Sequence, residues 1–491
     1  MRMSRLAVAF LAVFASPAGA AGDTAADAFG RMQPQKASIA DSSPALLPYF
    51  NNGSVFGLPG TDAGDFWHRT QLTGDWGGAR TRLAQHGVFV DLYSTGAWQD
   101  VASGGLKTGG SFVQNTQLSV NLDTGRAGLW PGGLFHFTVE SRYGSSPQST
   151  FTVGSTVPQY TALAMPGPLL GSDVDATEYY LLQALTPRFS VLLGKLNVIN
   201  LADHTLFGQS YKYWFANLNF NKNPMALNFY NTYTLTAVAA WVATDWLTVT
   251  GGVFDPNTQA DNFAAHAFES VNLYGLAILS YRIGGLPGQF LPQFNWTNKP
   301  KVNLTSPFES LSPAQAPQAL GVLLGIPSTA SLPIRYKPNS WAAIANFAQY
   351  LFVVDEPQEV AEKLATGQPL RGIGLFGRFG YAPSETNTIT LDGSIALFAQ
   401  GLLPTRTHDS VGAGFYYNAI SRELKNEIRS LTDGAVTVHD EMGMEVFYDF
   451  ALTPAIRLIP GYQHVWNPLA AHVVNRQNGA DVFLARLTLA F

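Results

Sequence analysis

The residues best able to do chemistry in this chain are not arranged for making and breaking bonds. Its nine histidines lack the H-E-x-x-H spacing that puts two metal ligands on one helical face, and no G-x-S-x-G elbow presents a serine nucleophile. His408 and Asp409 are adjacent, but on a strand their side chains point to opposite faces. The chain has no cysteine, which excludes thiolate metal sites and a disulfide framework. No catalytic residue, metal site or cofactor is therefore expected. What remains is a set of polar and aromatic groups at recurring parity. His136, Glu140 and Arg142 share one face of an alternating segment, and the same parity turns Arg378, Glu445 and Arg457 to the matching face of later segments. Between Asn197 and Tyr233 lie Asp203, Tyr211, Lys212, Tyr213, Trp214, Asn217, Asn219 and Asn221, a mixture of rings, amides and opposite charges. Lys195 stands just before them. If it shares the polar face, Phe189, Val191 and Leu193 do too, an apolar company that needs a cover.

The elements that would hold these residues change character within the stretch Thr73 to Trp98. Ala79, Leu83 and His86 follow helical steps and Gly87 supplies a stop, after which Val88, Val90 and Leu92 alternate with Asp91 at period 2. The alternation is clearest in Asn115–Asp123 and Leu134–Tyr143. There Thr116, Leu118, Val120 and Leu122 oppose Gln117, Ser119 and Asn121, and Phe135, Phe137, Val139 and Tyr143 oppose His136, Thr138, Glu140 and Arg142. One face suits lipid and the other water. Further segments of this kind between residues 176 and 491 bring the total to about sixteen, a size that leaves an aqueous lumen.

Composition separates a membrane barrel from a soluble sandwich. Only 13% of residues are charged, where roughly 25% is usual for soluble proteins, yet 12% are aromatic. No segment after the N-terminal one stays apolar long enough for a spanning helix, and the only other structure that satisfies every backbone group in lipid is a closed barrel. The connections agree. Those leaving odd strands are mostly long (Gly144–Asp175, Asn197–Tyr233, Asn298–Asn339, Ala419–Val438). Most of those leaving even strands are short (Thr186–Pro187, Ala243–Thr244, Leu452–Pro454), with Asp355–Leu370 the exception. Short turns belong to the periplasmic rim. A net charge of −5 speaks against a basic face for nucleic acid.

The expected order is a signal peptide over 1–20, a flexible leader over 21–72, a periplasmic motif with a short helix over 73–87, and an all-β transmembrane antiparallel barrel over 88–491. Arg2, Arg5, the apolar run Leu6–Ala15 and Ala18-Gly19-Ala20 carry the export signal. In the last strand Phe483, Ala485, Leu487, Leu489 and Phe491 form one apolar face. A terminal Phe after such a pattern resembles the signal that recruits the outer-membrane assembly machinery.

Gly74-Asp75-Trp76-Gly77-Gly78-Ala79-Arg80 resembles the opening motif of the OprB family of carbohydrate-selective porins. Gly377-Arg378-Phe379-Gly380, Gly414-Phe415-Tyr416-Tyr417, and Glu445-Val446-Phe447-Tyr448 followed by Thr453-Pro454 continue the likeness, with only the first motif specific. The resemblance implies a sixteen-stranded channel of the bacterial outer membrane for passive diffusion of small sugars. A pore for neutral sugars offers donors, acceptors and aromatic faces while binding weakly. On that implication Glu140, Arg142, Lys195, Asp203, Tyr211, Lys212, Trp214, Arg378 and Glu445 are the candidate sugar contacts, with Asn197–Tyr233 folded inward to narrow the pore. The plainer reading of the same residues is a structural charge ladder with a loop packed to the wall. Other functions considered are a general diffusion porin for small polar solutes and, more remotely, a barrel hydrolase. The partners expected are small carbohydrates and outer-membrane lipid, with a homo-oligomer left open.

Overall fold

The structure is a computed structural model of the chain. It describes residues 64–144, 152–157, 171–198, 205–207, 212–229, 231–258, 264, 266–326, 331–365 and 369–491. The expected signal peptide and the leader up to residue 63 lie outside the described residues, as do Asp203 and Tyr211.

Nine strands come first: β1 (Val88–Gly104), β2 (Gly109–Asp123), β3 (Gly133–Gly144), β4 (Gly171–Thr186), β5 (Phe189–Asn197), β6 (Tyr233–Thr244), β7 (Leu247–Phe254), β8 (Asn272–Ile283) and β9 (Leu286–Thr297). A small ribbon, β10 (Lys301–Val302) with β11 (Tyr336–Lys337), interrupts them. Then follow β12 (Ser340–Val353), β13 (Gly372–Tyr381), β14 (Ile389–Gln400), β15 (Ser410–Ile420), β16 (Glu441–Thr453), β17 (Ile456–Trp466) and β18 (Gly479–Ala490). β1–β9 and β12–β18 pair neighbour to neighbour, and β1 pairs with β18 to close a sixteen-stranded antiparallel barrel. Closure satisfies the last edge, as a wall in lipid requires.

Alternation in sequence becomes alternation in burial. On β3 the side chains of Phe135 and Phe137 are more than 40% exposed, whereas His136, Thr138, Glu140 and Arg142 are buried. The inner face is not uniformly polar, however. Along β4–β9 it carries Leu182, Leu192, Val238, Leu276, Ile278 and Leu291, covered by Leu218, Met225 and Phe229 from the connection after β5. A second apolar cluster joins Phe207, Trp214, Phe215 and Phe220 of that connection to Tyr350, Phe376, Phe398 and Phe447 of the wall. The lumen is thus lined partly by strands and partly by a loop packed onto them.

The helices are short: α1 (Ala79–Gln85), α2 (Leu218–Asn221), α3 (Pro224–Leu227), α4 (Ala316–Leu323), α5 (Pro357–Ala365), α6 (Arg422–Leu431) and α7 (Leu469–Asn475). The Asp75 carboxylate accepts from Thr81 N at 2.7 Å and Thr81 Oγ1 at 2.9 Å, capping the first turn of α1. Gly87 ends this region at φ +81°, where a Cβ would meet Asp123 O at 2.5 Å, so only glycine makes the turn into β1. The helix docks on the barrel foot: Arg80 Nη2 donates to Phe491 O at 2.7 Å and Nη1 to Gly74 O at 3.0 Å. Leu72 N adds a bond to Ala490 O.

At the opposite rim the long connections fold on one another. Leu304, Phe308, Ala319 and Leu323 from the β9–β12 connection meet Leu424, Ile428, Val436 and Val438 from the β15–β16 connection, with Leu469 and Val473 of α7. They form a separate apolar core above the barrel.

The long even connection, 354–371, is a clamped helix. Val360 and Leu364 of α5, one turn apart, pack against the cluster that holds Tyr350, Leu370 and Phe207. Asp355 holds the connection shut by accepting from Lys363 Nζ at 2.8 Å, Arg371 Nε at 2.6 Å and Arg371 N at 2.7 Å. Burial alone would raise its carboxyl, but the hydrogen bonds from Lys363 and Arg371 outweigh it and hold it below the ordinary carboxylate value. A carboxyl lowered by folding stabilises the clamp above its ordinary range and ceases to do so as pH falls through the lowered value. Protection of the amides over 357–365, taken relative to the intrinsic exchange rate at each pH, is therefore expected to be high at pH 7 and to fall in acid, and Asp355→Asn should show the low protection already at pH 7. Equal protection in both proteins at pH 7 would refute the clamp.

Candidate functional site

The inward face of β2–β4 builds a polar ladder. Glu140 is fully buried and its carboxylate is saturated: Asn115 Nδ2 and Tyr233 Oη donate to Oε2 at 2.9 and 2.7 Å, and Gln117 Nε2 and Thr177 Oγ1 to Oε1 at 2.9 and 3.1 Å. One step up the strand Arg142 pairs with Asp175, its guanidinium 5.9 Å from the Tyr233 ring centre. Two steps down, His136 bonds Asn121 Oδ1 at 2.6 Å and Thr138 Oγ1 at 2.8 Å, and stacks on Tyr180 at 4.5 Å.

Lys195 is buried too, with Nζ 5.8 Å from the Tyr179 ring. The apolar company predicted for it is not there. Ser190, Leu192 and Lys195 are buried while Leu193 is 53% exposed, and the pairing of β5 with β4 and β6 runs unshifted through Gly194, which stands at φ +140°.

The loop that follows closes over the ladder. Lys212 Nζ lies 4.6 Å from the Tyr93 ring, within Coulombic range of Glu140, Glu178 and Asp91. Its carbonyl accepts from Thr488 Oγ1 at 3.0 Å. The carbonyl of Trp214 accepts from Arg486 Nη2. The next two residues, Ala216 and Asn217, give their backbone N–H groups to the two oxygens of Glu445 at 2.6 and 2.7 Å, with Gln463 Nε2 at 3.2 Å. Burial of a carboxylate is tolerable here because main-chain donors replace its water.

Each amide in the Asn217–Asn223 run has a local task. Asn217 Oδ1 caps α2 through Asn219 N at 3.0 Å, and Asn223 Oδ1 caps α3 through Met225 N at 2.9 Å. Asn219 Oδ1 accepts from Asn418 at 3.2 Å, and Asn223 Nδ2 donates to Asp392 at 3.2 Å. The Trp214 ring is 2% exposed, 4.3 Å from Phe398 and 5.3 Å from Phe376, with Nε1 bonded to Phe220 O at 3.2 Å. In this conformation no face of it is open to a solute. Arg378 is buried over Phe376, with Asp392 as the opposing charge.

The nine predicted residues therefore divide. Glu140, Arg142, Lys195 and Lys212 gather on the ladder side, whereas Trp214, Arg378 and Glu445 lie where the loop meets the wall. Asp203 and Tyr211 fall outside the described residues. The sequence reading missed Arg486, Asp392 and Tyr233. Parity alone pointed Arg486 and Thr488 inward, opposite Leu487 and Leu489, but only the apolar face of that strand was read. Among the described residues no group of three His, Cys, Asp or Glu side chains is placed to hold a metal.

A family model for the carbohydrate-selective porins, OprB family, matches residues 107–491. The chain belongs to the OprB family. No curated protein matches it in sequence. Two solved structures of Pseudomonas putida OprB share its fold. The high-pH structure has a TM-score of 0.67 at 17% identity, over 87% of this chain and 100% of the other. The low-pH structure has a TM-score of 0.51 at 15% identity, over 87% and 99%. This OprB-family chain is thus an outer-membrane β-barrel porin for sugar diffusion, and the family match begins at residue 107, after the Gly74–Arg80 motif.

Proposed function

We propose that this porin selects small neutral sugars with two differently used sets of residues. Glu140, Arg142, Lys195 and Lys212, with Asp203 and Tyr211 of the same loop, offer polar contacts to the passing solute. Glu445, Trp214 and Arg378 hold the loop that sets the width of the path. The observation that carries this reading is the Glu445 carboxylate, whose two oxygens accept the backbone N–H groups of Ala216 and Asn217. A charged group committed to main chain fixes a loop, while a ladder of paired charges and hydroxyls can exchange partners with a sugar at small net cost.

The short-turn rim, where α1 and Phe491 meet, is assigned to the periplasm, since short turns face that side in outer-membrane barrels. The exposed apolar row Phe483 and Leu487 leading to Phe491 supports recognition of the last strand during assembly.

Swelling of liposomes that contain the purified porin tests the function. Monosaccharides are expected to enter faster than amino acids of equal size. Rates that follow solute size alone would replace the sugar-selective reading by general diffusion.

A further inference from the structure

The inner faces of β7, β8, β9 and β12 carry a group of side chains that neither the polar ladder nor the loop anchors use. Asn272 and Asn295 are 0% exposed, while their neighbours Leu273 and Phe294 are about half exposed on the outer wall, so alternation turns both amides inward. The register makes them diagonal neighbours: Asn272 stands opposite Thr297, and Tyr274 opposite Asn295. Such positions lie ~7 Å apart, the span of a sugar's adjacent hydroxyls with their hydrogen bonds.

In both side chains the amide nitrogen and the oxygen lack a hydrogen-bond partner, as do Gln293 Nε2 and Thr250 Oγ1 on the next row. Buried amides are nearly always satisfied, and two adjacent ones bare of every partner call for a ligand or a change of state. Two aromatic rings share the patch. Phe254 stands opposite Asn272 and packs edge-on to Tyr274 at 5.5 Å. Gly252 and Ala342 flank the Tyr274–Asn295 row and keep it shallow. Met225, Ala226 and Phe229 belong to the same apolar cluster as Phe254 and Leu276, and α3 packs on β12, β13 and β14.

We propose that Asn272 and Asn295, with Tyr274 and Phe254 beside them, form a subsite for a sugar ring near the long-loop end of the lumen. The amides bridge neighbouring hydroxyls and the rings meet the C–H face. The subsite rests on the reading of the chain as a sugar channel and adds a specificity-determining position to it.

The test is block of single-channel current by glucose, with the full-length porin in planar bilayers. The double variant Asn272→Leu/Asn295→Leu is expected to raise the half-blocking concentration about tenfold, from the loss of two to four hydrogen bonds. Tyr274→Leu should shift it in the same direction by less. If the leucine pair does not assemble, Asn272→Ala and Asn295→Ala separately carry the same reading at about threefold each. A folded double variant, judged by heat-modifiable gel migration, that is blocked like the unsubstituted porin overturns the subsite. Failure of glucose to block the unsubstituted porin overturns the sugar-channel reading itself, and the subsite with it.

Discussion

Glu445→Ala is expected to release the loop inside the barrel and produce a larger, noisier single-channel conductance with less discrimination among solutes. Two buried backbone N–H groups lose a charged acceptor at 2.6 and 2.7 Å. At about 1.5–3 kcal/mol for each hydrogen bond to a charged group, loop docking should weaken by roughly 3–6 kcal/mol, with water in the vacated space restoring some of it. Even the lower figure shifts the docked-to-undocked ratio by about a hundredfold. Glu445→Gln should fall between the two, because its oxygen can serve one amide while its NH2 group opposes the other. Bilayer recordings decide: a conductance and sugar selectivity equal to the parent's in Glu445→Ala would show that other contacts alone fix the loop.

The second large effect is expected at the other end of the molecule. Arg80→Met removes the bonds to Phe491 O and Gly74 O while keeping much of the side chain's apolar stem. The loss of two charge-assisted bonds, about 3 kcal/mol or more, falls on the foot of the β1–β18 seam. Barrel unfolding, followed by heat-modifiable gel migration, should occur at a lower temperature, with conductance through folded channels unchanged. A variant as heat-resistant as the parent would assign α1 no part in holding the seam.

The two predictions mark where reading a sequence stops. Every strand of the barrel was legible because the wall between lipid and lumen imposes period 2, so Phe135 and His136 declare opposite faces without knowledge of their neighbours. The turn at Gly87 was legible because a local backbone demand left a local residue. The purpose of Glu445 was not, since its partners Ala216 and Asn217 lie more than two hundred residues away and contribute only main-chain atoms, which carry no sequence signature. Trp214 was read as a stacking surface, and in the structure Phe207 and Phe215 of its own connection and Phe376 and Phe398 of the wall surround it, a result of tertiary packing. The caps made by Asn217 and Asn223 were hidden for a related reason. An amide that caps a helical turn and an amide that meets a solute are the same residue in sequence.

The bonds from Arg486 to Trp214 and from Thr488 to Lys212 impose an order of events on the newborn chain. The loop emerges after the fifth strand, yet part of its seat is on the sixteenth. A barrel lacking its final strand would have neither a closed wall nor a fully tethered loop, so the interior can be completed only when the two ends of the chain meet. Contacts of such sequence separation form slowly. Their delay has a protective side, because an incomplete chain has no closed ring through which the contents of the cell envelope could leak.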